Sequence, residues 1–109
     1  YNFLEFLIHG VKYAFPVEIG SQTRGILTSY AAPVMKDLIE IDDVSLPPVW
    51  PSVHGNVLGL AFSPLYKSVP LAAAEDSDLY DLLCLVDVIR AGKVREKKLA
   101  VELLKSRIE

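Results

Sequence analysis

The stretch Ser77-Asp78-Leu79-Tyr80-Asp81-Leu82-Leu83-Cys84-Leu85-Val86-Asp87-Val88-Ile89-Arg90-Ala91, SDLYDLLCLVDVIRA, decides how this chain folds. Leu79, Leu82, Leu83, Val86 and Ile89 recur at helical spacing, and Tyr80, Cys84, Leu85 and Val88 make much of the remaining surface apolar too. A helix of this kind must be covered on nearly every side. Ser77 stands where an N-cap belongs, Asp78 and Asp81 lie near the positive end of the helix, and Gly92 follows its last turn. Beyond Gly92, residues 93–108 place Leu99, Ala100, Leu103, Leu104 and Ile108 on one face, with Arg95, Glu96, Lys97, Lys98, Glu102 and Lys105 on the other. The short joint predicts a helical hairpin over residues 77–109. Leu82, Leu85, Val88 and Ile89, on the wholly apolar arm, are the residues expected to form an oligomer interface.

Working back from the hairpin, residues 64–70 read as an irregular connection, with Ser68 placed to cap a short helix through Ala72–Ala74. Val57–Phe62 is a candidate strand after the His54-Gly55-Asn56 turn, weakened by Gly59. Residues 40–55 are acidic, then proline-rich, and predict an extended surface linker. Trp50, framed by prolines, is either a plug that seals the core or an anchor for a partner. Pro33 sits at a first helical position, followed by Val34, Met35, Leu38 and Ile39 at helical spacing. Residues 26–32 fit a strand or an irregular run. Gly20-Ser21-Gln22-Thr23-Arg24-Gly25 reads as a glycine-bounded turn after a strand over residues 11–15, and Phe3–Ile8 as a short helix with Asn2 as its cap and Gly10 at its end. The sum is an α+β fold: a small sheet of a few short strands packed with a C-terminal helical hairpin.

The 109 residues are 51% hydrophobic, enough to bury a core as one domain spanning residues 1–109. A net charge of −3 gives no general basic field to attract nucleic acid. Mean hydropathy is +0.32, yet the longest apolar run, Leu82–Ile89, is far below the roughly 18–20 residues that span a bilayer and contains Asp87. One cysteine, Cys84, excludes an internal disulfide and agrees with a reducing, cytoplasmic setting. The chain starts at Tyr1 without the basic start of a secretory signal, which suggests the C-terminal fragment of a longer protein.

Candidate chemistry is thin. Gly20 and Gly25 have the spacing of a phosphate-binding loop, but Ile26 and Leu27 stand where that loop needs Lys and Ser or Thr. Thr23 and Arg24 are left as candidate ligand- or partner-binding residues, with Trp50 beside them as the possible anchor. His9 and His54 are far apart, with only scattered carboxylates such as Asp42 and Asp43 to join them, so no metal is expected. Ser21, Thr23, Ser29 and Ser52 lack a nucleophile elbow, and a thiol on a buried helix is inert. Asp42-Asp43 and Glu75-Asp76 read as solvated acidic turns. The run Lys93, Arg95, Lys97, Lys98 reads as a solvated helix face, with nucleic-acid contact as its other reading. No cofactor and no catalytic set is expected.

The runs FLEFLIHGVKYAFPVEIGSQTRGILTSYAAP, PPVWPSVHGNVLGLAFSPLYKSVPLAA and LYDLLCLVDVIRAGKVREKKLA resemble the C-terminal region of bacterial MarR-type winged-helix transcriptional regulators. His9 to Pro16, Thr23-Arg24-Gly25 and Pro48-Val49-Trp50-Pro51 carry the resemblance. It implies that a DNA-reading helix-turn-helix precedes Tyr1, so that DNA is met only through that absent part. It carries over no ligand or catalytic residue. The expectation is a non-enzymatic oligomerisation or effector domain of such a regulator, working as a homo-oligomer. The alternative is an antitoxin-like or adaptor module that binds a different protein through Trp50 and residues 47–70.

Overall fold

The computed structural model describes residues 6, 9–14, 16–36, 38, 46–52, 55–65 and 68–108. In chain order these form α1 (Val11–Ala14), β1 (Ile19–Leu27), a 3-10 turn (Ser29–Ala31), α2 (Pro33–Lys36), β2 (Pro48–Pro51), β3 (Val57–Phe62), α3 (Val69–Glu75), α4 (Ser77–Ala91) and α5 (Val94–Ile108). The architecture is α+β, with a small three-stranded sheet against a C-terminal helical hairpin.

The all-round apolar helix is the central layer. One face of α4 meets α5 across Leu85, Val86, Val88 and Ile89, with Ala100 and Leu104 opposite and Val11 and Met35 closing the side. Its other face meets the sheet and α3 through Leu83 and Cys84, packed with Trp50, Phe62, Val69 and Ala73. The expected oligomer interface is therefore corrected: Leu85, Val88 and Ile89 are buried, and Leu82 half-buried, by the chain's own α1, α2 and α5. The helix is capped one residue earlier than expected, where Asp76 accepts the Asp78 and Leu79 amides at 3.0 and 3.2 Å. At the joint, Glu96 reaches back to accept the Lys93 amide at 3.1 Å, which starts α5 in the manner of a capping box.

The sheet departs furthest from expectation. Gly20–Gly25 is not a turn but the middle of β1, and the proline-rich segment is not a surface linker, because Pro48–Pro51 forms β2 with Val49 and Trp50 buried. Prolines stand at the first and last positions of β2, where a missing ladder donor does least harm. β1 runs antiparallel to β2 (Ile26 opposite Trp50) and to β3 (Arg24 opposite Leu58), and β2 meets β3 in parallel at Pro48–Leu60 and Val49–Ala61. The three strands so close on themselves. The strand expected at residues 11–15 also differs where it is described: Val11–Ala14 is a helical turn, held by the Tyr13 and Ala14 amides on the Gly10 carbonyl at 3.1 and 3.2 Å, and Phe15 lies outside the described residues. Five residues of alternation fit a strand or one helical turn equally, and burying Val11 against α4 selects the helix. The helix expected at residues 3–8 lies, but for Phe6, outside the described residues.

So small a closed ring has almost no room inside. A Cβ on Gly25 would fall on the Trp50 carbonyl oxygen, and one on Gly59 on the Pro47 carbonyl oxygen, so these glycines let neighbouring strands approach. Gly20, exposed near the start of β1, would set its Cβ 3.2 Å from the Ala61 Cβ, a contact that a small shift relieves. Urea unfolding should thus show Gly25→Ala and Gly59→Ala each losing about 2 kcal/mol or more, against less than about 1 kcal/mol for Gly20→Ala. Equal, small losses at all three positions would count against the closed ring.

Candidate functional site

Among the described residues, polar chemistry gathers inside the molecule around Asp87 and outside it around Arg24. Inside, Asp87 points from α4 into the junction with the sheet and is 1% exposed. Its Oδ2 accepts the Thr28 hydroxyl at 2.6 Å and the Trp50 indole N–H at 2.7 Å, while its Oδ1 accepts Arg90 Nη1 at 2.8 Å. Arg90 lies one helical turn on, also buried, and donates to the Ser63 carbonyl at 2.9 Å and the Pro16 carbonyl at 3.5 Å. Its guanidinium sits 5.6 Å from the centre of the Phe62 ring. One carboxylate and one guanidinium thus tie α4 to the approach to β1, the end of β1, to β2 and to the end of β3.

Beside this pair, the Tyr80 hydroxyl donates to the Leu27 carbonyl at 2.5 Å, and its ring meets Trp50 edge-on at 5.8 Å. Thr28 leads into Ser29, a buried residue with φ of 56°, the left-handed region that a residue with a Cβ enters only when its surroundings hold it there. The Asp87 network on Thr28 and the Tyr80 bond on Leu27 supply that hold.

Burial sets the acid–base character of the cluster. It pushes the Asp87 carboxyl above the ordinary carboxylate range, against the downward pull of the Thr28 hydroxyl, the Arg90 charge and the Trp50 indole. Burial likewise pushes the Cys84 thiol from 9.0 up to about 12, and raises Tyr80 above its ordinary 10.0. Near neutral pH Cys84 is therefore a thiol and Tyr80 a phenol, neither of them a nucleophile.

Outside, Arg24 is exposed on β1, in register with Leu58, and its carbonyl accepts the Ser52 amide at 3.2 Å. Thr23 is half-buried, with its hydroxyl turned to the Arg24 carbonyl at 3.3 Å. Trp50 does not join them. It is fully buried and bonded to Asp87, which makes it the plug and not a surface anchor. Asp76 is spent as a helix cap, so Glu75-Asp76 is no substrate-facing pair. His9 is exposed; His54, Asp42 and Asp43 lie outside the described residues, and among those described no cluster of His, Cys, Asp or Glu has the makings of a metal site. Among the described residues no helix is long and apolar enough to cross a membrane.

Asp87, Arg90 and Thr28 were not among the residues singled out by the sequence. The signal was available: an Asp three residues before an Arg inside an apolar stretch is a carboxylate bound for burial, and such a group needs a partner within reach.

No protein-family model matches this chain, and no curated protein or solved structure is significantly similar to it.

The raised values of Cys84 and Tyr80 make a pH prediction. Both groups hold their protons more tightly folded than unfolded, so their contribution is fully present below their unfolded pKa values and is lost as pH rises toward the folded ones. The urea midpoint should fall steadily between pH 9 and pH 12, and the fall should be shallower in Cys84→Ala and shallower again with Tyr80→Phe added. An unchanged alkaline slope in the double variant would refute the assignment.

Proposed function

We propose that this chain is a non-enzymatic interaction module, an oligomerisation or effector domain of the kind that bacterial transcriptional regulators carry. The observation that carries the non-enzymatic reading is the state of its chemically capable side chains. Asp87 is engaged by Thr28, Trp50 and Arg90, Arg90 also donates to the Ser63 and Pro16 carbonyls, Cys84 and Tyr80 are held protonated, and Asp76 and Glu96 serve as helix caps. Groups bound up in this way are poorly placed to bind and turn over a substrate. The regulator reading rests on the resemblance of His9 to Pro16, Thr23-Arg24-Gly25 and Pro48 to Pro51 to the corresponding region of MarR-type proteins.

Within this reading any self-association uses surfaces other than the expected stripe, since α4 is already covered. Ile19 and Leu58, 57% and 52% exposed on the strands, are apolar groups still facing water. Arg24, beside Leu58, is the cation best placed to meet an acidic effector or partner group.

Chromatin immunoprecipitation of the chromosomally tagged protein from its native cell tests the regulator reading. Enrichment at a small set of discrete promoter-proximal sites is the expected result. A flat genome-wide profile, with the protein well expressed, would overturn it.

A further inference from the structure

The start of α5 is net positive in a molecule that is otherwise net negative. Residues 93–98 hold Lys93, Arg95, Lys97 and Lys98 against a single carboxylate, Glu96, a net charge of +3 in a chain whose total is −3, so everything else sums to −6. Glu96 is committed to the Lys93 amide. Lys97 and Lys98 form no ion pair among the described residues, and with Val94, Val101 and Glu102 they line a shallow open groove along the helix. Its lining is mainly apolar, and Val94 is 72% exposed. The macrodipole disfavours cations at this end of a helix, so the cluster works against the fold's own electrostatics.

We infer that this groove docks an acidic amphipathic segment of a different protein, with apolar side chains on the Val94–Val101 floor and carboxylates on Lys97 and Lys98. Exposed ion pairs contribute little on their own, so the apolar floor supplies affinity while the lysines steer and orient. Glu102, at the far end, repels a carboxylate and sets the direction in which the segment lies. Duplex nucleic acid fits less well, because phosphates gain nothing from a valine floor and are repelled by Glu102. A two-fold dimer through the same groove fits less well too, since it sets each lysine pair against its own copy. The inference stands apart from the regulator reading, as it concerns a face that reading does not use.

The test is fluorescence anisotropy with a labelled helical peptide of about four turns, leucine on one face and glutamate on the flanks. Saturable binding is expected, weakened about tenfold or more by Lys97→Glu/Lys98→Glu and several-fold by Val94→Ser, with thermal midpoints close to the parent's because these side chains are exposed or half-exposed. Replacing the peptide's glutamates by glutamine should abolish the effect of the lysine variant. The inference is overturned by non-saturable peptide binding, by equal affinity in the lysine variant, by a labelled DNA duplex binding more tightly through the same lysines, or by light scattering that finds a dimer lost in that variant.

Discussion

The Asp87 carboxylate is the interaction on which the remaining structure depends. A carboxylate 1% exposed is costly to bury, and the chain meets that cost with three donors from three parts of the fold: Thr28 after β1, Trp50 in β2 and Arg90 in α4 itself. Each donor fixes something else. Thr28 leads into the left-handed Ser29 that turns the chain toward α2, and Trp50 fills the space between the strands and α4. Arg90 extends the knot to Ser63 and Pro16, so the strand ring is held at its ends as well as through its ladders. A small closed sheet with glycines inside has little apolar burial of its own, and the knot compensates by anchoring it to the helix.

The same economy shapes function. Asp87 and Arg90 hold layers together, and the large apolar helix is covered on both faces. Among the described residues, two exposed surfaces combine cations with apolar groups: the strands around Arg24 and Leu58, and the lysine-lined outer face of α5. They lie on different layers of the molecule, one on the sheet and one on the last helix.

The helical half was legible in the sequence because its signals are local: periodicity over Ser77–Ala91, the joint at Gly92 and the amphipathic pattern after it. Val57–Phe62 and the turn of helix at Pro33 were legible for the same reason. The first two strands were not, since glycines and prolines that ordinarily mark turns are there required by close strand approach, a tertiary constraint that no short window contains. Gly25 opposite the Trp50 carbonyl explains why a strand looks like a loop. Of the candidate site residues, Arg24 lies at the surface as its charge demands, while Trp50 is inside because Asp87, far away in sequence, offers its indole a partner.

Equilibrium urea unfolding of Asp87→Asn tests this account most directly. The amide keeps the shape of the side chain but removes the buried charge that faces Arg90 Nη1 and puts an N–H donor among the Thr28, Trp50 and Arg90 donors, and a loss of about 3–5 kcal/mol is expected. A variant within about 1 kcal/mol of the parent would contradict the claim that the Asp87 knot holds the strand ring to the helix.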